Sequence, residues 1–555
     1  MKGNAVSAMN KLAIILVIIS IVVGCSKSSQ EPGVSDQNES SYVFAGSEID
    51  NLNFIDDDFE LCVDEYAKGH EFLNVSDFTS LSCDYAYFND ASGIEQLGYL
   101  TELSILGNYQ LSSLDLSNLV NLTNLDLSNG GLISIVLPNP SKLINLNLSH
   151  NSGLIDIDIS EQGQLKNADF QWCFLQDLML PKESKLEVLQ LDHNRIESLD
   201  LSEQVNLTSL NYNYRQSVDL VLPSPSSLTL LNLESQDLTD LDLSSQRQLR
   251  HLTLASNKLD NISLNNLPML ESLYLSVPEI SVLDLSNQTQ LLELKISSDK
   301  LTVLDISNQT QLLELSIYSD DLAVLDLSSQ KELTKLVLTS VDVANLDFSE
   351  MSQLSYLEMT YLDEFSLNLT LPNSSQLQRL FVTQSKLSSL DVSNQTQLIE
   401  FNLGLNELSS LDLTNLTQLS SARLSNNQLT GIELPFPSQL SYLHLRENLL
   451  TDIDLSEQAQ LIQLELNKNR LGNVDLSNLS QLSLVDIDSN RLTSVELPSP
   501  SSLGSLSMFH NQLASVDVSN QSKLEFLGLS YNPLDQAMRS YIVNVLIPAA
   551  VRVSY

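Results

Sequence analysis

Residues 461–481 read LIQLELNKNRLGNVDLSNLSQ. The stretch divides into LIQLELNKNR and LGNVDLSNLSQ, and each half carries apolar residues in the pattern LxxLxL. In extended backbone, alternate side chains point to opposite faces. Leu464 and Leu466 then point inward with Glu465 outward, and Val474 and Leu476 do the same around Asp475. One such unit cannot bury its own leucines, so neighbouring units must supply the core.

The unit recurs along the chain. Anchored on the first Leu of each LxxLxL, it runs from Leu100 to Leu524 in 20 intervals, 17 of them 21 residues long. A degenerate first copy begins at Phe78. The length of 555 residues suggests several domains, but a ruler this regular predicts one solenoid. The expected fold is a β-rich rod with two parallel ladders per coil, little helix and small helical caps. Its divisions are a signal peptide over 1–24, a flexible tether over 25–49, an N-terminal cap over 50–77, about 22 repeats over 78–534 and a C-terminal cap over 535–555. The pattern LxxLxLxxNxLxxLDLxxxxx resembles the IRREKO class of bacterial leucine-rich repeats. Two ladders spaced alike at about 4.8 Å would make a rather straight rod roughly 100 Å long.

Composition narrows the function. The formal net charge is −43, from 27 Lys plus Arg and 70 Asp plus Glu. Nucleic acid and anionic membrane surfaces both demand clustered cations, so neither is an expected partner. The six His show no HxxxH or HExxH spacing, the four Cys no CxxC, and no GxSxG or phosphate-loop motif occurs. A leucine-filled rod offers no enclosed pocket, so no catalysis is expected.

The N-terminus reads as an address. Lys2 and Lys11 precede the apolar run Leu12–Val23, which is too short to span a bilayer. Val22-Val23-Gly24-Cys25 resembles a lipobox, although Leu is usual where Val22 stands. That resemblance implies lipidation of Cys25 and export to a bacterial envelope, at an outer membrane or the cell surface, with the lipid as the only membrane contact. Cys62 and Cys83 flank the cap and are a disulfide candidate in an exported chain. The alternative is two buried thiols.

The repeats turn the sequence into columns. One holds Asn at 108, 151, 194, 257, 406, 427, 448, 469, 490, 511 and 532, a structural column expected to bond backbone groups. It fails at Pro278, Asp299, Asp320, Val341 and Ser385, where the sequence gives no account of the turn. A second column is acidic and includes Asp284, Asp305, Asp326, Asp347, Asp391, Asp412, Asp454 and Asp475. It reads as a solvated face or as weak Ca²⁺ sites, although Ca²⁺ requires six to eight converging oxygens. The third column, the outward face of the first ladder, varies. Two clusters on it are candidate ligand faces: Tyr274, Tyr318, Val337, Tyr356 and Phe381, and then Arg423, Tyr442, His444 and Arg446. Tyr and Arg are frequent interface anchors. The expected function is therefore recognition of a protein partner by a monomeric, envelope-anchored rod of internalin-like character. The alternatives are a structural or cation-bridging rod without a specific protein ligand, or glycan binding.

Overall fold

The computed structural model describes residues 49–555, apart from 215–217, 236, 342, 344, 363–365 and 374–375. The signal segment, Cys25 and nearly all of the tether lie outside the described residues. The chain winds into a right-through solenoid whose first halves form one 23-stranded parallel sheet. Successive strands pair in strict register, Leu443 with Leu464 and Leu464 with Val485, as a 21-residue period requires. The leucine columns fill the interior, with Leu440, Leu443, Leu445 and Leu450 fully buried in one coil.

The second halves behave differently. Their pairing is broken into seven two-stranded ladders, such as Ser113–Asp115 with Ser134–Val136 and Asn473–Asp475 with Ser494–Glu496. In six of the seven, the second member runs straight into Leu-Pro. Proline has no amide to donate, and it constrains the residue before it, so the ladder cannot pass to the following coil. The next coil closes the gap with a glutamine. Gln458 Nε2 donates to the Pro435 carbonyl at 3.2 Å, and Gln162, Gln204, Gln246, Gln395 and Gln521 do the same for Pro138, Pro181, Pro223, Pro372 and Pro498. The two sides thus carry parallel pairing of unequal continuity.

The asparagine column and its failure also have a structural cause. In coils that carry it, the sheet strand is three residues long, then one residue turns through positive φ and the Asn points inward. Glu447 (φ 54°) before Asn448 and Lys468 (φ 57°) before Asn469 are examples. From His251 to Thr383 the strands are five residues long. In the first four of these coils simple alternation continues and the inward position arrives one residue sooner, at buried Ser256, Val277, Ser298 and Ser319; in the last three Ser340, Tyr361 and Gln384 keep the positive-φ turn, and Val341, Leu362 and Ser385 fill the ordinary place. Ser298 Oγ donates to Ile280 O at 2.6 Å and Ser319 Oγ to Leu301 O at 3.0 Å, replacing part of the amide's work. Asn257 is exposed, so its assignment to the column is corrected: Ser256 holds that place and donates to Leu238 O at 2.7 Å.

Both ends are covered. Helix Asp57–Gly69 is capped by Asp56, whose Oδ1 accepts the Asp58 and Phe59 amides, and it buries Phe59, Val63 and Ala67 at helical spacing. The Cys62–Cys83 disulfide ties this helix to the first coil. At the other end, helix Gln536–Tyr541 continues through Ile542–Leu546 and returns as strand Arg552–Ser554, the last of the long sheet. No helix among the described residues is long and apolar enough to cross a membrane.

Candidate functional site

The outward face of the long sheet is where the sequence varies while its backbone does not. Three sections of it differ in chemistry.

The first section was not singled out from the sequence. An open groove of about 620 Å³ runs across the strands from Ser80 to Gln190. Its floor is a chain of side-chain amides: Asn124 Nδ2 donates to Glu102 Oε1 at 3.1 Å, Asn145 to Asn124 at 2.6 Å and Asn167 to Asn145 at 2.6 Å. A neighbouring row holds Asp126, Asn147 and Asp169. Burial, with a smaller contribution from Asp126, pushes Asp169 up. Burial, then repulsion from Glu234 and Asp169, pushes Asp192 up to about 6. The signal was present in the sequence, as Glu or Asn at the same offset in four consecutive repeats.

The middle section holds the first predicted cluster, but the structure does not gather all of it. Tyr356 and Phe381 meet edge to face at 5.7 Å, and Val337 stands two strands from Phe381, with Glu358 between them. Lys335 lies over the Tyr356 ring at 5.8 Å, while the Tyr356 hydroxyl donates to Glu358 Oε2 at 2.6 Å. Burial and that carboxylate hold the phenol well above its usual range. Tyr274, 37% exposed, is three strands from Val337, separated by Lys295 and Ser316. Tyr318 sits at the far end of its strand, opposite Ser297 and Thr339.

The second predicted cluster is brought together. Arg423, His444 and Glu465 are consecutive in register. Arg423 Nη1 pairs with Glu400 at 2.6 Å, and His444 Nδ1 stands 3.5 Å from Glu465 Oε2. Burial, against the pull of Glu465, holds the imidazole below its ordinary range. Tyr442 is 42% exposed on the same strand, and Arg446 pairs with Glu447 at 3.0 Å. Ser421 Oγ and His444 Nε2 are buried without a partner among the described residues. Unmatched polar atoms in one patch are costly unless something meets them.

The acidic column lies on the opposite side and has a local occupation. One oxygen of each aspartate accepts the amide two residues on: Asp284 from Ser286, Asp305 from Ser307, Asp326 from Ser328 and Asp347 from Ser349. Asp391, Asp412, Asp454 and Asp475 repeat this with Ser393, Thr414, Ser456 and Ser477. Bonds from the hydroxyls of the same Ser and Thr residues, largest at Asp391 and Asp475, act with the amide bonds, which lead at the other six, to hold the carboxyls below their usual range. Among the described residues no group of three or more His, Cys, Asp or Glu converges as a metal set. Cys173 takes an Asn-column position, donates to Leu148 O at 3.0 Å and is pushed up to about 12 by burial.

No protein-family model matches this chain, and no curated protein does. Solved structures do. The functional domain of InlJ from Listeria monocytogenes is 22% identical over 79% of this chain and 78% of its own, with a TM-score of 0.44. The leucine-rich-repeat protein LIC12759 of Leptospira interrogans is 18% identical over 88% and 98%, at 0.38. PEPR1, in its structure with AtPEP1, is 20% identical over 82% and 76%, at 0.56. At these identities the likeness concerns the fold, and the PEPR1 superposition carries it: this is a parallel leucine-rich-repeat solenoid.

Proposed function

We propose that the chain is a non-catalytic recognition protein, held at a bacterial cell envelope through lipidated Cys25, that binds another protein through the outward face of its long sheet. One observation carries the reading. On two adjoining strands, exposed Tyr442 stands opposite Ser421, and Ser421 Oγ and His444 Nε2 are buried polar atoms with no partner among the described residues. A rigid sheet that presents an exposed aromatic beside unsatisfied polar groups has the makings of a contact centre. PEPR1, which shares the fold, was solved with AtPEP1.

The test is capture by purified residues 26–555, compared with a variant carrying Tyr442→Ala, His444→Ala and Arg446→Ala, and a second carrying Tyr318→Ala, Tyr356→Ala and Phe381→Ala. A partner held by the wild type and lost with one triple variant supports recognition and locates it. If envelope and host extracts yield no partner, the structural rod replaces it. Anchoring is tested separately: Cys25→Ser should move the protein from the membrane fraction to the soluble fraction.

A further inference from the structure

The strands that follow His444 carry a feature the recognition reading does not use. Glu465 and Asp486 are in register on adjacent strands, and Asp488 lies two residues beyond Asp486. Among the described residues no Lys or Arg pairs with any of the three, whereas the basic residues nearby are engaged: Arg423 with Glu400, and Arg446 and Lys468 with Glu447. Beside the carboxyls stands Asn467. It is only 8% exposed, and its Oδ1 is buried without a donor among the described residues. Its place in the coil is the one Asp488 holds in the next. From there Asp488 reaches over the outward face to Ser507 Oγ at 2.8 Å and the Phe509 amide at 2.7 Å. Asn467 stands at the same offset one coil earlier, in the coil next to that of Asp488. Gln463 Nε2 donates to Glu465 Oε1 at 2.9 Å, the Asp488 amide donates to Asp486 Oδ1 at 3.1 Å and His444 Nδ1 stands 3.5 Å from Glu465 Oε2, yet the three carboxyls and the unfilled amide oxygen still hold more acceptor capacity than these donors use. Burial pushes both Asp486 and Asp488 up, and Glu465 adds to the push on Asp486.

We infer that this face seats an arginine side chain from a partner protein, its guanidinium set among Glu465, Asp486, Asp488 and Asn467 Oδ1. A guanidinium brings five donors in one plane and takes carboxylates two bonds at a time, which answers a patch made of acceptors. A metal ion could also take these oxygens, but no group of three or more His, Cys, Asp or Glu among the described residues converges as a metal set, so the larger, flat guanidinium is the better fit. A protein segment is the occupant argued for because Tyr442 and His444, on the strand just before Glu465, extend the same face with ring surface for flanking residues. The inference deepens the recognition reading and rests on it.

The probe is a fluorescein-labelled peptide, Gly-Ser-Arg-Gly-Arg-Ser-Gly, and its twin with citrulline in place of arginine, each titrated by anisotropy. The protein is tested as wild type, as Asp486→Asn with Asp488→Asn, and as Asp284→Asn with Asp305→Asn. The last pair changes the net charge equally on the opposite side of the solenoid. Expected is binding of the arginine peptide alone, weakened about tenfold by the first pair and less than about twofold by the second. Equal weakening by both pairs, equal binding of the citrulline twin, or no binding to wild type overturns the inference. So does binding that calcium abolishes and EDTA restores, which assigns the carboxyls to a metal ion. Loss of a captured partner with Tyr442→Ala, His444→Ala and Arg446→Ala but not with Asp486→Asn and Asp488→Asn overturns this inference while recognition stands.

Discussion

Asn469 Oδ1 accepts the amide of Leu450, nineteen residues earlier, at 3.1 Å. Its Nδ2 donates to Leu445 O of the preceding coil at 2.9 Å and to Leu466 O of its own at 3.0 Å. One side chain therefore satisfies three buried backbone groups across two coils. Asn469→Ala strands all three, and each stranded group costs about 1–3 kcal/mol. We expect a loss of at least about 3 kcal/mol in urea unfolding. Asn257→Ala, at a position the sequence pattern equates with it, should cost less than about 0.5 kcal/mol because Ser256 has taken the inward place. Equal costs at the two sites would mean that the register shift in the long-strand section is misplaced.

Gln458 tests the break in the second ladder. Its Nε2 is bonded to the Pro435 carbonyl, while its Oε1 is buried without a partner among the described residues. Where the preceding coil lacks Leu-Pro, leucine can fill the same place, as at Leu416 and Leu479. Gln458→Ala should cost about 2–4 kcal/mol, combining a lost cap with a cavity. Gln458→Leu fills the volume and removes the unmatched oxygen, so it should cost about 1 kcal/mol or less. Differential scanning calorimetry on both variants would show the order; an equal drop for both would make the carbonyl cap the whole effect.

How far these features were readable follows from their range. The period, the inward leucines and the Asn turns are set within a single coil, so Leu464, Leu466 and Asn469 declared themselves in 461–481. The glutamine column did not, because Gln458 earns its meaning from Pro435 in another coil. The groove amides behaved likewise: Asn124, Asn145 and Asn167 look like ordinary surface residues until the register joins them. Of the two predicted ligand clusters, the compact one held together because Arg423, Tyr442, His444 and Arg446 lie on neighbouring strands. Tyr274 was drawn into the other by residue type rather than by distance along the stack.

Asp192 should make stability depend on pH in a direction opposite to the acidic column. Its folded value, about 6, lies above the ordinary 3.8 because burial, Glu234 and Asp169 disfavour its charge. The folded state then holds this proton more tightly than the unfolded chain does, and stability falls as the pH rises from about 4 to 6. Asp192→Asn keeps an oxygen for the Asn213 amide, which Asp192 accepts at 3.0 Å. At pH 7.5 the variant should be more stable than wild type by up to about 3 kcal/mol, and the gain should shrink through pH 6 and vanish below about 4. Asp284→Asn, whose carboxyl is held below its usual range, should show no gain at pH 7.5. Denaturant titrations across that window decide it: a gain for Asp192→Asn that does not change with pH would remove the titration argument.

The three described cysteines should separate cleanly by chemistry. Cys62 and Cys83 are bonded across a separation of 21 residues, a closure worth about 3 kcal/mol in chain entropy. Helix Asp57–Gly69 otherwise rests on the first coil through Phe59, Val63 and Ala67, with its neighbours Phe54 and Phe88 packed at 5.2 and 4.8 Å from Phe59. Reduction should therefore loosen the cap before the repeats. Amide exchange in residues 57–69 should speed up while exchange in the Gln463–Glu465 strand stays unchanged, because a solenoid transmits stability only between neighbours. Cys173 serves as the internal control. Buried, bonded to Leu148 O and with its thiol pushed up to about 12, it should resist iodoacetamide at pH 8 in both states, while Cys62 and Cys83 react once reduced. Alkylation of Cys173 on reduction alone would show that the cap and the fifth coil open together, and the disulfide would then be a support for the solenoid rather than a clasp at its end.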